Sequence, residues 1–558
     1  MGRERVPLRL VFAFITVLAL LYFLYIFAEA SSYQNRTVHL SLSFPALVEY
    51  SFFSLLRMSA AYFLSLVFSL LYGYAAAKSK KAEAVLIPLL DVLQSVPILS
   101  FLPVTLLALS AFLPVGVAAE LASVVLIFTS QAWNIAFAWY QSLITVPKDL
   151  DEASRIFRLN WWLRFRNLEL PFGAISLIWN SMMSWAGGWF FLMAAEMFTV
   201  GNKDFRLPGL GSYLQTAADR KDFHALFMGL VALVLIIVLL DQFVWKPLLA
   251  WAERFKLQQT SDEREYTSWF YDFLRKRRWF QNLTDLLSEL LEKLDGFFVK
   301  KFPPSEERSS KLNFLGNLLF YLFAVFVLYE GIKAVILMVK LPSEEWLAIA
   351  EGLLFTTLRV FIAILLSLLW TVPLGVLIGR NPRLRKWLQP LVQIVASVPA
   401  TALFPVFLLL FLHLPMGLNL ASVVLMMAGT QWYILFNVIA GASAIPKELE
   451  YTADLLHLSG WEKWKTLILP AVFPYVITGT ITAAGGAWNA SIVAEYITFG
   501  GHTYSIPGLG ELISIATADG DYKLLFTSTV VMIAAVVLIN RIVWRKLYGL
   551  AREKYRLE

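Results

Sequence analysis

The sequence predicts an all-α polytopic membrane protein of about twelve transmembrane helices, built as two parallel six-helix repeats. Three observations carry this: composition, apolar runs of spanning length, and one segment pattern that occurs twice. Of the 558 residues, 58% are hydrophobic and only 16% charged, where an average soluble domain is about a quarter charged. Mean hydropathy is +0.65. One soluble core stops growing at roughly 250–300 residues, so a soluble chain of this length cannot hide that much apolar surface. Disorder, collagen and coiled coil are excluded by the same composition. Cysteine is absent, which removes disulfides, thiolate metal sites and a cysteine nucleophile. His39, His224, His413, His457 and His502 never pair at helical ligand spacing, so no metal is expected. The net charge of +7 fits Lys and Arg in cytoplasmic loops, with membrane lipid and not nucleic acid as the surrounding partner.

A span needs about 20 mostly apolar residues. Twelve stretches qualify: 8–28, 47–77, 84–112, 115–144, 171–199, 223–245, 312–339, 347–379, 388–412, 418–444, 471–498 and 523–544. The first has a rival reading. Arg3, Arg5 and Arg9 precede an apolar run ending in Ala28-Glu29-Ala30, as in a signal peptide, but the run exceeds a typical signal core. A retained span is the expectation. With the N-terminus inside, the loop Lys78-Ser79-Lys80-Lys81 is cytoplasmic. So are the stretches holding Lys148, Arg155, Arg158, Arg164 and Arg166, and Arg380, Arg383, Arg385 and Lys386. The turns near 112–116 and 413–417 lack Lys and Arg. The loop near 200–222 is mixed. The balance places both termini in the cytoplasm.

The duplication is explicit. Residues 87–104 read IPLLDVLQSVPILSFLPV, and 389–406 read QPLVQIVASVPATALFPV. Pro88, Pro97 and Pro103 align with Pro390, Pro399 and Pro405, and Arg57 aligns with Arg359, all at an offset of 302. Farther on the offset is 299. There Pro147 meets Pro446, Trp189 meets Trp488, Glu196 meets Glu495, and Pro208-Gly209-Leu210-Gly211 meets Pro507-Gly508-Leu509-Gly510. Six spans per half return the chain to the same side, so the halves run parallel with a pathway expected between them. The expected division is a first domain at 1–250, a cytoplasmic linker at 251–311 and a second domain at 312–558. In the linker, Leu283, Leu286, Leu287, Leu290, Leu291 and Leu294 form one face of an amphipathic helix. It reads as a linker helix lying on the membrane or the protein; a regulatory docking helix is the alternative.

Between the fourth and fifth spans of each half lies a polar, helix-compatible stretch running from Pro147 to Pro171 and from Pro446 to Pro470. A partner can grip such a helix and tilt the bundle. Glu152-Ala153-Ser154, with Leu170-Pro171 following, resembles the EAA loop of ABC importer permeases. The Ser-Val-Pro segment with a second Pro, and the Ala-Glu pair followed by Pro-Gly-Leu-Gly, resemble the nitrate/sulfonate/taurine branch. The resemblance covers nearly both halves but not 251–311. Its implications are these: a type I importer permease fold with two permease domains fused in tandem in a prokaryotic inner membrane; coupling helices at about 148–163 and 447–462; two ABC ATPase subunits gripping them; and an external solute-binding protein. ATP and Mg would sit on the partner subunits. This chain shows no G-x-x-x-x-G-K-[ST] loop, so no cofactor and no catalytic residue are expected in it. The ATPase-coupling residues carried over are Glu152, Ala153, Ser154 and Arg155, with Tyr451, Thr452, Ala453 and Asp454 in the second half. Two departures stand out. The family's Glu is Tyr451 in the second half, and its Gly six residues later is Arg158 in one half and His457 in the other.

Candidate pathway residues are Arg57, Gln131, Trp189 and Glu196, with Arg359, Gln431, Trp488 and Glu495. Ionisable groups in spans are costly and mark function or anchoring. Two arginines beside a pathway suit an anion, but anchoring to a carbonyl is the competing reading. For the glutamates, bracing the Pro-Gly loops competes with lining the mouth. For the tryptophans, packing competes with flanking a gate. The expected function is import of a small anion of the nitrate, sulfonate, taurine or bicarbonate kind. A secondary transporter with twelve spans and an importer of a non-anionic solute are the alternatives. A membrane enzyme lacks the converging acid, base and His cluster it needs.

Overall fold

The computed structural model describes residues 40–252 and 335–550, apart from breaks at 96–97, 198, 201–202, 205, 444, 500–501, 545 and 548. It also describes 255, 268–277 and scattered positions from 281 to 333. The expected span 8–28 lies outside the described residues, as do most of 312–339, the leucine stripe of the linker and the last eight residues.

The first half contains α1 (Phe44–Lys78), α2 (Lys80–Ser95), α3 (Leu102–Ser110), α4 (Val115–Ile144), α5 (Lys148–Ile156), α6 (Leu170–Glu196), α7 (Leu210–Asp219) and α8 (Phe223–Leu240). The second half repeats the order: α9 (Ser343–Arg380), α10 (Pro382–Ser397), α11 (Ala400–Phe411), α12 (Gly417–Ser443), α13 (Lys447–Leu455), α14 (Leu469–Glu495), α15 (Leu509–Asp519) and α16 (Tyr522–Ile539). Even the irregularities recur. A π turn precedes α6 at Phe165–Glu169 and α14 at Trp464–Ile468, and another follows α8 at Asp241–Trp245 and α16 at Asn540–Trp544. Two antiparallel hairpins complete the repeat: β1 (Thr199–Val200) with β2 (Lys203–Asp204), and β3 (Tyr496–Phe499) with β4 (His502–Ser505).

Local chemistry sets the boundaries. The Ser43 hydroxyl accepts from Ala46 N–H to cap α1, and Pro45 sits in its first turn, where its missing N–H costs nothing. Asp222 and Asp521 cap α8 and α16 in the same way. Among the described residues, seven helices are long and apolar enough to cross a membrane: Phe44–Lys78, Val115–Ile144, Phe223–Ala252, Ser343–Arg380, Gly417–Ser443, Gly460–Glu495 and Tyr522–Trp544. The helix α6 has the length, but its Trp, Ser and Asn residues lower its hydropathy below theirs.

Within the expected third spans, 84–112 and 388–412, the described residues form two shorter helices each, α2 and α3 in the first half and α10 and α11 in the second, with a tight 3₁₀ turn at Ile98–Phe101. Proline removes an N–H and clashes with the preceding turn. Val398, just before Pro399, is held extended, as a residue before proline prefers.

The breaks are where the halves meet. Ile98 N–H donates to Asn489 Oδ1 of α14 at 2.5 Å. Thr401 Oγ1 donates to the Phe190 carbonyl of α6 at 3.4 Å. Phe190 and Asn489 are repeat counterparts, so each broken segment crosses over to the long fifth helix of the opposite half. One apolar core runs through both halves.

Candidate functional site

Three features of the bundle have functional potential: a buried clamp in each half, a short lever helix in each half, and a cavity between the halves.

The clamps are built around Arg57 and Arg359. Arg57, only 1% exposed, donates from Nε and Nη2 to the Glu120 carboxylate at 2.6 and 2.7 Å. From Nη1 it donates to Glu196 Oε1 and the Pro208 carbonyl, both at 2.8 Å. The Ser54 hydroxyl donates to Glu196 Oε1 at 2.7 Å and accepts from Leu210 N–H at 2.9 Å. Gly211 N–H donates to Glu196 Oε2 at 2.8 Å. In the second half, Arg359 Nη1 donates to Glu495 Oε1 and the Pro507 carbonyl at 2.8 Å each. Thr356 stands in for Ser54, and Gly510 for Gly211, with the same bonds. The difference is at Nε: Asn419 Oδ1 accepts there at 3.1 Å, where the first half has Glu120. Gly209 and Gly508 are required by close approach, since a Cβ on either would fall 2.2 Å from the glutamate carboxylate.

Arg57, Glu196, Arg359 and Glu495 are therefore engaged with one another and with the Pro-Gly loops, tying α1 to α6 and α9 to α14. Gln131 is buried, with its Nε2 near Met58 Sδ at 3.4 Å. Gln431 Oε1 accepts from Trp370 Nε1 at 3.1 Å. Trp189 and Trp488 are both buried, and only Trp189 borders the cavity. Glu120 was not among the sequence candidates. Its signal was an ionisable residue inside an apolar run, opposite Asn419 at the 299 offset.

The lever helices α5 and α13 start after Pro147 and Pro446. In the first half, Asp151 accepts from Arg155 Nη2 at 2.9 Å and pairs with Arg164. Arg164 Nε donates to Glu169 Oε1 at 2.8 Å, and Glu169 also pairs with Lys78 at the end of α1. A relay of charges thus connects the lever to two long helices. In the second half the lever is tied directly: Arg380 Nε donates to Glu450 Oε1 at 3.0 Å, and Lys463 Nζ to Asp454 Oδ1 at 2.5 Å. Glu152 and Tyr451 point outward and are exposed, while Ser154 and Ala453 face inward. Arg155, Thr452 and Asp454 are exposed, and Ala153 is half-buried.

Both levers end in an exposed apolar pair, Ile156-Phe157 and Leu455-Leu456; Ile156 and Leu455 are each 79% exposed. Sequence reasoning missed this pair, whose signal was two apolar residues ending a polar helix in both repeats. After it the chain turns through left-handed residues, Arg158 at φ 47° and His457 at φ 55°. Leu159 N–H bonds back to the Ser154 carbonyl and Arg158 N–H to that of Arg155, closing a Schellman cap. The positions where the family carries Gly thus keep a glycine-like conformation with other side chains. The linker reaches this end too: Trp162 Nε1 donates to Asp295 Oδ1 at 2.8 Å, and Arg166 pairs with Asp295.

The cavity, about 140 Å³, lies between α6 and the end of α8 on one side and α10, α11, α12 and α14 on the other. Its lining is mostly aromatic and small apolar, with Asp241 and Asn489 as polar members.

A chain of two parallel helical repeats, each with an outward-facing lever and a cavity at the joint, is a membrane transport subunit by architecture. It belongs to the family described as binding-protein-dependent transport system inner membrane component, which matches residues 65–244 and again 371–545, more than half of the chain. It is a tandem-fused permease of the ABC type, a class that is not enzymatic itself. Among its relatives, the nitrate import permease protein NrtB of Synechococcus elongatus is 30% identical over 170 residues, 30% of this chain and 57% of the relative. The bicarbonate transport system permease protein CmpB of the same organism is 28% identical over 172 residues, 31% of this chain and 59% of the relative. The taurine transport system permease protein TauC of Escherichia coli is 24% identical over 200 residues, 36% of this chain and 66% of the relative. The chain therefore spans little more than half the length of the first curated relatives it matches.

Proposed function

We propose that this chain forms the translocation pathway of an ATP-driven importer of a small anion and works by alternating access. It contributes both permease domains, 1–250 and 312–558, with the linker 251–311 and both termini in the cytoplasm. ATPase subunits grip the levers α5 and α13 through Glu152, Tyr451 and the apolar pairs, and hold ATP and Mg themselves. An external solute-binding protein delivers the anion at the clamp end, about 30 Å from the levers at 1.5 Å of rise per residue along α1. The observation that carries the reading is that lever and clamp both recur at the same place in each half, at opposite ends of the same long helices. Such a frame converts tilting at one end into opening at the other. The nitrate and bicarbonate relatives support the anion class, and taurine, a zwitterion, shares with them an anionic oxygen-bearing group.

The clamp arginines serve as anchors in this reading, because Arg57 donates from Nε, Nη1 and Nη2, and Arg359 from Nε and Nη1, to groups within the clamps. The test is uptake of labelled nitrate, bicarbonate and taurine by proteoliposomes holding the chain, its ATPase subunits and the binding protein. ATP-dependent uptake of one of them is expected. Uptake of a neutral or cationic solute with no response to these anions would overturn the reading.

A further inference from the structure

We infer that the cavity between the halves is a resting site for a small oxyanion, held by neutral donors with the Trp185 indole N–H foremost. This rests on the anion-permease reading above. At about 140 Å³ the cavity has room for one small oxyanion. Among the described residues no Lys or Arg lines it, and the arginines of α1 and α9 are bonded within their clamps. Selectivity for an anion must then come from N–H and O–H groups.

Trp185 supplies one. It lines the cavity, is 5% exposed, and its Nε1 has no hydrogen-bond partner among the described residues. Its ring is fixed edge-on against Tyr62 at 5.3 Å and Trp245 at 5.8 Å. A buried donor left without an acceptor is costly, and a passing anion relieves that cost. Tyr433 supplies a hydroxyl from the opposite wall. Near it, Pro399 and Ala400 line the cavity at the start of α11, a twelve-residue helix without a side-chain cap. The positive end of that helix and its first N–H groups border the same space.

The site is lopsided. The repeat counterpart of Trp185 is Ala484, and that of Tyr433 is Asn134, whose amide is already spent on Ser184 and the Asn180 carbonyl. Asp241 also lines the cavity, with its carboxylate neutralised by Lys246 at 3.0 Å. Neutral donors beside a compensated carboxylate hold an anion loosely, as a site that must also release it requires.

The experiment compares wild type with Trp185→Phe in the reconstituted complex, with nitrate, bicarbonate and taurine as probes. Phenylalanine keeps an aromatic ring at the position and removes the N–H donor together with part of the indole's volume. The expected result is a rise in KM for the transported anion of about tenfold, with a smaller change in kcat. Trp179→Phe, on the exposed face of α6, should leave both unchanged. In parallel, anomalous diffraction from crystals soaked with perrhenate should show a peak within hydrogen-bond reach of Trp185 Nε1. An unchanged KM in Trp185→Phe, or an empty cavity in the wild-type anomalous map, overturns the inference while leaving anion import intact. Should Trp185→Phe fail to fold, the wild-type map decides alone. Should wild type import none of the three probes, the function proposed above fails, and the perrhenate peak still reports on the site.

Discussion

The two ends of this molecule have aged differently. At the clamp end the halves are near copies: Arg57 and Arg359 reach a glutamate and a proline carbonyl at the same 2.8 Å, and Ser54 and Thr356 make matching bonds. At the lever end they have parted. The first half uses a relay through Arg164 and the buried Glu169 to Lys78, where the second half has Ile468 in place of Glu169 and ties Glu450 straight to Arg380. A permease that pairs with a second copy of itself meets every substitution twice. Fusion lifts that constraint, so each lever can adapt alone. The clamp has kept its form because a buried ion pair that loses one partner leaves an uncompensated charge.

The sharpest way to break the comparison is at the clamp. Arg57→Gln strands two buried carboxylates, Glu120 and Glu196, whereas Arg359→Gln strands only Glu495. Breaking a buried pair costs about 3–5 kcal/mol. Arg57→Gln is expected to abolish folded protein in the membrane, and Arg359→Gln to reduce it. Glu120→Asn gives the first clamp the second clamp's chemistry and should be tolerated far better than Arg57→Gln. Membrane yield and thermal midpoint in detergent check all three, and equal losses for the two arginines would show that the extra carboxylate carries no weight.

The next effect is at the relay. Glu169→Ile copies the second half's residue into the first and cuts the connection between α5, α1 and α6. Coupling energies between distant sites run to about 1–3 kcal/mol, so anion uptake per ATP hydrolysed should fall about fivefold or more. Arg380→Ala cuts only the half-exposed Arg380–Glu450 pair and should do less. A larger loss from Arg380→Ala would place the dominant lever in the second half.

Smaller again is the contrast between the exposed lever residues. Glu152→Ala removes a charged acceptor, and hydrogen bonds to charged groups are about twice as strong as neutral ones. Glu152→Ala should therefore weaken co-purification with the ATPase more than Tyr451→Ala. Equal weakening would mean that the apolar pairs Ile156-Phe157 and Leu455-Leu456 carry the docking.

Much of this was legible in the sequence because repeats and apolar runs are read directly. The 302 and 299 offsets located Arg57, Arg359, Glu196, Glu495 and both levers. They did not show that Glu196 and Arg57 meet, since those residues are 139 positions apart and only packing joins them. Glu120 was hidden in an apolar stretch for the same reason. The division of each third span into two helices had no hydropathy signal, because hydropathy counts the apolar residues and ignores the N–H that proline removes. The lopsided cavity had no signal in either repeat alone, being made of α6 and the end of α8 from one half and α10, α11, α12 and α14 from the other.

The smallest expected effect concerns the turn after each lever. A residue with a Cβ pays about 1–2 kcal/mol in the left-handed region, a cost that glycine escapes. Arg158 and His457 both occupy it, at φ 47° and 55°. Arg158→Gly and His457→Gly should relieve that strain while losing some of the gain to the greater freedom of glycine in the unfolded chain. The net expectation is a gain of about 0.5 kcal/mol or less at each site, read as a small rise in thermal midpoint. The two halves should respond alike in stability, because both turns share the same cap bonds. They need not respond alike in ATPase binding, because Arg158 presents a long guanidinium side chain and His457 a compact imidazole ring. A drop in ATPase affinity for Arg158→Gly alone would show that the non-glycine residue was retained for its charge. A matching drop for His457→Gly would assign the effect to the backbone.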